Sequence, residues 1–286
     1  VTGRVSREDR ARAPVVWSLA FALLGGYLML RLALFGALGD VPMLGPGDHP
    51  LFGKPLSTRL ATAAWLLVPS LRLVALPYGL NYFYGFGTLP IPESLLDPRA
   101  LLGVVLLGTT AVLAFRVLAA RLDPLPAVAL ALFLLPLFPA LNVLSLGGVL
   151  FAERFLYLPA AGVALLLAWG LDRFAAQGVP YKSALAGVAA VAVVFCGLTW
   201  SRVADWSSAE RLSLASLKWY PNAPNVLFEL GLAQKRQERI PEAAESLAKS
   251  VALQDNRPQV WMEYAVVLGR LGRAADAAKA WQRSLA

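Results

Sequence analysis

The stretch SALAGVAAVAVVFCGLTW, residues 183–200, contains no charged side chain, and the chain changes character where it ends. Hydrocarbon offers backbone groups no water, so an apolar run of about 20 residues satisfies itself as a spanning helix. Most of the sequence before Trp200 is built of such segments, whereas the sequence after it repeats with a period of 34 residues and suits water. The expected fold is all-α. A polytopic transmembrane helix bundle occupies residues 1–201, and a helical solenoid follows over 202–286.

Composition agrees. Of 286 residues, 58% are hydrophobic and only 15% charged, well below the roughly 25% charge of a soluble domain. The formal charge of +8 does not mark a nucleic-acid partner, because Lys and Arg cluster at the ends of apolar segments, as bilayer orientation requires. One cysteine, Cys196, and one histidine, His49, exclude a disulfide framework and a multi-histidine or paired-cysteine metal centre. No cleavable leader is evident.

Spans are expected at about 15–38, 100–119, 126–144, 157–174 and 183–200. The third of these carries Pro136 and Pro139 and should kink. Segment 58–77 is ambiguous: Pro69 and Arg72 lie near its middle, and a central arginine costs at least about 2.5 kcal/mol. Charge resolves it. Arg4, Arg7, Arg10 and Arg12 assign the N-terminal tail to the cytoplasm. Arg116, Arg121, Arg173 and Lys182 join them there only if 58–77 does not cross. The segment is therefore expected to be an interfacial or re-entrant helix with Arg59 and Arg72 snorkelling. Five spans leave the solenoid, the loop 39–99 and the loop 145–155 on the periplasmic or lumenal face of an integral membrane protein of the bacterial inner membrane or its equivalent.

In the solenoid, Gly231, Ala243, Leu247 and Ser250 shift by 34 residues onto Ala265, Ala277, Trp281 and Ser284, while Leu227 and Leu230 shift onto Trp261 and Tyr264. Small residues let paired helices approach and bulky ones fill the seam, which is the tetratricopeptide pattern. Repeats are expected at about 224–257 and 258–286, the last one truncated, after a degenerate half-repeat at 204–221. Such a solenoid presents a protein-binding surface.

The stretch PLFPALNVLSLGGVLFAERFLYLP (136–159), the segment FGKPLSTRLATAAWLLVP (52–69), the turn-rich NYFYGFGTLPIPE (81–93) and the repeats together resemble the transmembrane-and-tetratricopeptide-repeat (TMTC-type) O-mannosyltransferase family. The most specific part of the resemblance is AERFLYLP before a span. The resemblance covers residue 50 onward and implies a GT-C class bundle that transfers a sugar from a polyprenyl phosphate to a protein acceptor on the non-cytoplasmic side. It implies membrane lipids, that donor and an acceptor protein as partners, and no cofactor or metal. The family's acidic catalytic motif has no counterpart; Asp40 and Asp48 fall in a region that aligns with later spans. Catalytic residues are therefore expected upstream of Val1, and this piece alone should be inactive.

Arg154 is the leading candidate for lipid phosphate, since a guanidinium grips phosphate oxygens with paired donors. Glu153 can orient it or bind sugar, and Tyr157 and Arg59 complete the lipid-phosphate and sugar set. Each also has a plainer role: Glu153 solvated, Arg154 and Arg59 snorkelling, Tyr157 in the aromatic belt. Tyr82, Tyr84 and Phe86 can stack on sugar or merely line the border, Arg31 and Lys54 are similarly open, and His49 is expected to be a solvated loop residue. The competing function is a non-catalytic membrane-anchored repeat scaffold.

Overall fold

The computed structural model describes residues 45–119, 124–143, 146–178 and 180–285, together with Gly25, Gly26 and Met29. The chain divides into two compact units, Val1–Met43 and Leu44–Ala286. Gly25, Gly26 and Met29 are helical; otherwise the expected span at 15–38, with Arg31, lies outside the described residues, as do Asp40 and Arg121.

In the described part of the second unit, helices are joined by loops. The helices include α1 (Leu56–Ala75), α2 (Pro98–Ala119), α3 (Leu125–Leu134), α4 (Tyr157–Ala176), α5 (Tyr181–Asp205), α6 (Ala209–Leu217), α7 (Pro224–Arg236), α8 (Ile240–Leu253), α9 (Pro258–Arg270) and α10 (Ala274–Leu285). Among the described residues, three stretches are helical, long and apolar enough to cross a membrane: Pro98–Arg116, Glu153–Ala176 and Tyr181–Asp205. They support an integral-membrane placement. No residue of α5 is buried, and an apolar surface of that length suits hydrocarbon, not water.

The stretch expected to span at 126–144 is broken. Helix α3 stops at Leu134, and a 3-10 turn, Phe138–Leu141, leads to Asn142 in the left-handed region at φ 57°. Leu135 still has right-handed helical geometry and its N–H bonds the Ala131 carbonyl, but Pro136 has no N–H to continue the ladder. Helix α3 packs on α4 at Gly162, where an added Cβ would lie 2.4 Å from the Ala129 carbonyl oxygen. That is the close small-residue contact expected of membrane helices. Gly187, a second glycine of this kind, faces open space instead.

The segment expected at the interface is α1. It packs along α2 so closely that a Cβ on Gly103 would lie 1.8 Å from the Ala64 carbonyl oxygen. Its first turn meets Glu93, through Thr58 Oγ1 at 3.1 Å, and Asn142. Four residues beyond its last, Gly79 meets Trp219 and accepts the Tyr220 hydroxyl at 3.2 Å. Both flanks of α1 thus belong to the same loop-rich end of the bundle.

That end also holds the main core. Leu51, Leu66, Leu73, Tyr84, Leu150, Phe151 and Leu156 form one buried cluster drawn from α1 and the loops, with Phe133 and Leu137 from the α3 region. Helices α7–α10 make a helical-repeat region in which the starts of α7 and α9 are 34 residues apart, as are those of α8 and α10. A Cβ on Gly231 would lie 2.7 Å from Leu247 Cγ, so the small residue is where two helices touch. Phe228, Leu247, Val251, Val260 and Val267 fill the first seam, and Ala265, Leu268, Ala277 and Ala280 the second.

The repeats are seated directly on the loops. Gln254 Nε2 donates to the Gly47 carbonyl at 2.7 Å. Gly87, at φ 70°, lies so near Asn222 that a Cβ would come within 1.8 Å of its carbonyl oxygen. Only glycine fits both the left-handed backbone and that gap.

Candidate functional site

Two of the four expected site residues belong to one chain of hydrogen bonds at the loop-rich end. Arg59 donates from Nε to the Asn142 carbonyl at 2.9 Å. Asn142 donates from Nδ2 to the carbonyls of Leu150 at 2.9 Å and Ala140 at 3.1 Å, and its Oδ1 accepts the Gly147 N–H at 2.8 Å. The Leu150 N–H donates to the Tyr84 carbonyl at 3.2 Å, and Tyr84 and Phe151 form an antiparallel bridge. The chain ends at Glu153, whose Oε1 accepts the Tyr84 hydroxyl at 2.9 Å and the Asn81 N–H at 2.7 Å.

These contacts explain why the turn NYFYGFG adopts its shape. Asn81 bonds its own turn, giving Nδ2–H to the Phe83 carbonyl at 2.7 Å and accepting the Phe83 N–H at 3.3 Å. Tyr84 is buried between Phe151 and Tyr220, edge-on to each at 5.2 and 5.7 Å. Burial, and then the charge of Glu153, hold its hydroxyl far above the ordinary tyrosine range, so it stays a donor. Burial likewise pushes Tyr82 up to about 12.

Glu153 is only half-buried, and Oε2 accepts no hydrogen bond from the described residues. One oxygen is fixed and the other is free to take a donor from outside. Arg154, the next residue, turns the opposite way. It is exposed, with its guanidinium 5.3 Å from the Phe155 ring centre, and it makes no ion pair with Glu153 among the described residues. Tyr157 is 84% exposed. The 3-10 turn Glu153–Leu156 therefore splits the set: one carboxylate inward, one cation and one phenol outward at the start of α4.

Two expectations need correction. His49 is buried, at 1% exposure, with Nδ1 accepting the Leu51 N–H at 3.0 Å. The Gly/Pro-rich loop folds back under the core, and burial lowers the imidazole below its ordinary range. Tyr84, at 1% exposure, has no face left for a sugar; Tyr82 and Phe86 are half-buried. Arg59 is tied to Asn142, not extended, while Lys54 and Arg72 are exposed. Sequence reading missed Asn81 and Asn142 altogether. The available signal was local: asparagine bonds its own turn and tolerates the left-handed region.

No family model matches the sequence. Individual proteins do. Protein O-mannosyl-transferase TMTC1 of Mus musculus is 30% identical over 223 residues, 76% of this chain and 23% of the relative. Protein O-mannosyl-transferase TMTC3 of Homo sapiens is 26% identical over 278 residues, 92% of this chain and 30% of the relative. The Mus musculus TMTC3 is 26% identical over 241 residues, 83% and 26% respectively. The chain thus spans about a quarter of the length of the curated relatives it matches. Similarity of this extent to several members supports assignment of the chain to the TMTC family of O-mannosyl-transferases, at the level of the family and not of any one member.

Proposed function

We propose that this chain is the C-terminal part of an integral-membrane glycosyltransferase that takes a polyprenyl-phosphate-linked sugar on the non-cytoplasmic side, while tetratricopeptide repeats bind the protein acceptor. On this reading residues 1–201 form the bundle and 202–286 the repeats, and the catalytic residues lie upstream of residue 1. Arg154 grips the lipid phosphate with Tyr157 at the border, Glu153 binds sugar hydroxyls through its free oxygen, and Arg59 holds the loop that presents them.

The observation that carries the reading is the divided turn at the start of α4. A fixed carboxylate faces the polar loops and an unpaired guanidinium faces outward, at the level where an apolar helix begins. A sugar phosphate on a lipid has the same polarity. Helix directions support the orientation: Arg116, Arg173 and Lys182 fall at the ends of α2 and α4 and the start of α5, away from the repeats. The return of both flanks of α1 to the loop-rich end supports an interfacial or re-entrant helix at 58–77.

The test uses the full-length protein in proteoliposomes with polyprenyl-phosphate mannose and an acceptor. Arg154→Ala removes no hydrogen bond among the described residues, so folding should persist while transfer falls about tenfold or more. Unchanged transfer refutes the assignment of Arg154. Absence of transfer by the unaltered full-length protein, with acceptor still bound by its repeats, favours the non-catalytic scaffold.

A further inference from the structure

A second polar site lies beside the Glu153 turn, and it shares no residue with the set of Arg59, Glu153, Arg154 and Tyr157. Where α5 leaves its apolar stretch, a cleft of about 490 Å³ opens between its last turns, α6 and the strap 77–80, a volume within the range of about 300–1,000 Å³ typical of small-molecule sites. Arg202, Arg211 and Lys218 line it, against a single carboxylate, Asp205. Asp205 is taken by Arg202 Nη1 at 3.0 Å, and the Glu153 carboxylate attracts the same guanidinium at longer range, while Arg202 Nη2 stays buried without a hydrogen-bond partner. Arg211 has only the Ser207 hydroxyl at 3.3 Å beside it, and Lys218 only the Trp219 ring at 5.9 Å. Neither has an acidic partner among the described residues. Leaving a guanidinium arm buried and unpaired is costly, and an anion relieves that cost.

The surroundings specify the rest of the ligand. Leu214 of α6 and Leu198 of α5 line the cleft, and Leu198 continues its wall onto α5, which has no buried residue and, over 183–200, no charge. Trp200, Trp206 and Tyr78 are exposed at this level, at 84%, 60% and 59%, as aromatic side chains are at a membrane–water border. The strap forming the floor is held from behind: Asn81, one residue past Leu80, gives its N–H to Glu153, and Gly79 takes the Tyr220 hydroxyl.

We propose that this cleft binds the phosphate headgroup of a membrane lipid, with Arg202, Arg211 and Lys218 on the phosphate oxygens and the acyl or prenyl chain against the exposed face of α5. Glu153 acts on this site as a positioning residue, through Asn81 and the strap. The site stands whether or not the protein transfers a sugar. A polyprenyl phosphate and an anionic phospholipid share the headgroup chemistry, and the experiment separates them.

Purified protein in neutral detergent is titrated with a polyprenyl phosphate, with phosphatidic acid, and with the matching alcohols polyprenol and diacylglycerol. Saturable binding of either phosphate, at least about tenfold tighter than its alcohol, is expected, and the stronger of the two identifies the source. Arg211→Gln and Lys218→Gln, both at exposed positions, should weaken it about tenfold each, whereas Lys249→Gln on α8 should not. Arg202→Lys, which keeps a cation for Asp205, should weaken it too. Equal affinity for phosphate and alcohol, or unchanged affinity in both glutamine variants, overturns the proposal. If the glutamine variants are silent but Arg154→Ala abolishes phosphate binding, the cleft is refuted and the transferase reading survives. If the glutamine variants lose binding in a protein that transfers no sugar, the cleft stands and the transferase reading fails.

Discussion

Removing the Glu153 side chain tests whether its oxygen holds the strap. In Glu153→Ala, two donors lose a charge-assisted acceptor, at 2.9 Å from Tyr84 and 2.7 Å from Asn81. Each such bond contributes about 1.5–3 kcal/mol. The loss is not the full sum, because the Asn81 N–H also lies 3.1 Å from the Tyr84 hydroxyl oxygen and keeps that acceptor. The expected destabilisation of the loop is therefore about 2–4 kcal/mol. Tyr84→Phe removes two bonds, that of the hydroxyl to Glu153 and that of the Asn81 N–H to the hydroxyl, but leaves Asn81 on Glu153, for about 1–2 kcal/mol, while Glu153→Gln preserves an acceptor and loses only charge, for about 1 kcal/mol. Hydrogen–deuterium exchange over residues 78–92, in protein held in lipid nanodiscs, reads these as local opening free energies. The predicted order of damage is alanine, then phenylalanine, then glutamine. Should glutamine open the loop as far as alanine, the negative charge and not the acceptor would be the essential property, and hydrogen bonding to Oε1 would be refuted as what holds the strap.

Two further outcomes follow from the loop–repeat contact. Gly53 and Gly87 share a left-handed backbone, at φ 68° and 70°, but only Gly87 abuts another segment, the Asn222 carbonyl. Gly53→Ala should cost about 1–2 kcal/mol in thermal stability from backbone strain alone, and Gly87→Ala a further 1–3 kcal/mol from overpacking; equal losses would mean the contact carries no weight. His49 is held below its ordinary pKa by burial, so the unfolded chain takes up a proton first as pH falls. Its contribution is complete above about pH 6.5 and lost below that, by at most about 1.4 kcal/mol per pH unit. Melting temperatures between pH 7 and pH 5 should fall for the natural protein and less steeply for His49→Asn; parallel slopes would exclude His49 as the source.

The parts of the fold that depend on short-range pattern were legible in the sequence. Charge-free runs became α2, α4 and α5, and the 34-residue period became four helices, two of which begin at prolines, Pro224 and Pro258, where a missing N–H costs nothing. Even the start of α6 is local, with Ser208 accepting the Arg211 N–H at 3.2 Å. The rest was hidden because its partners are far apart in sequence. Arg59 finds Asn142, Tyr84 finds Glu153, and Gln254 finds Gly47, separations of 83, 69 and 207 residues. Nothing in a single sequence marks such pairs, so Tyr84 read as an exposed aromatic and His49 as a solvated loop residue. Arg154 and Glu153 were adjacent in sequence and read as a pair; a single 3-10 turn sends them apart.

Hydrophobic burial in this unit is uneven, and the unevenness bears on function. The apolar helices α2, α4 and α5 leave most of their surface uncovered, and no residue of α5 is buried, while Leu51, Tyr84, Leu150 and Phe151 from the loops are sealed. In a bilayer, helix surfaces lose nothing by facing lipid, so packing is needed only where water begins. That is where the repeats sit, with Tyr220 reaching Gly79 and Gln254 reaching Gly47. A repeat domain on a free linker would move independently of the bundle. In this chain any displacement must break hydrogen bonds on two separate loops and open the contact at Gly87. On the proposed reading, an acceptor protein on the repeats would therefore be held in a fixed position relative to the Glu153 turn.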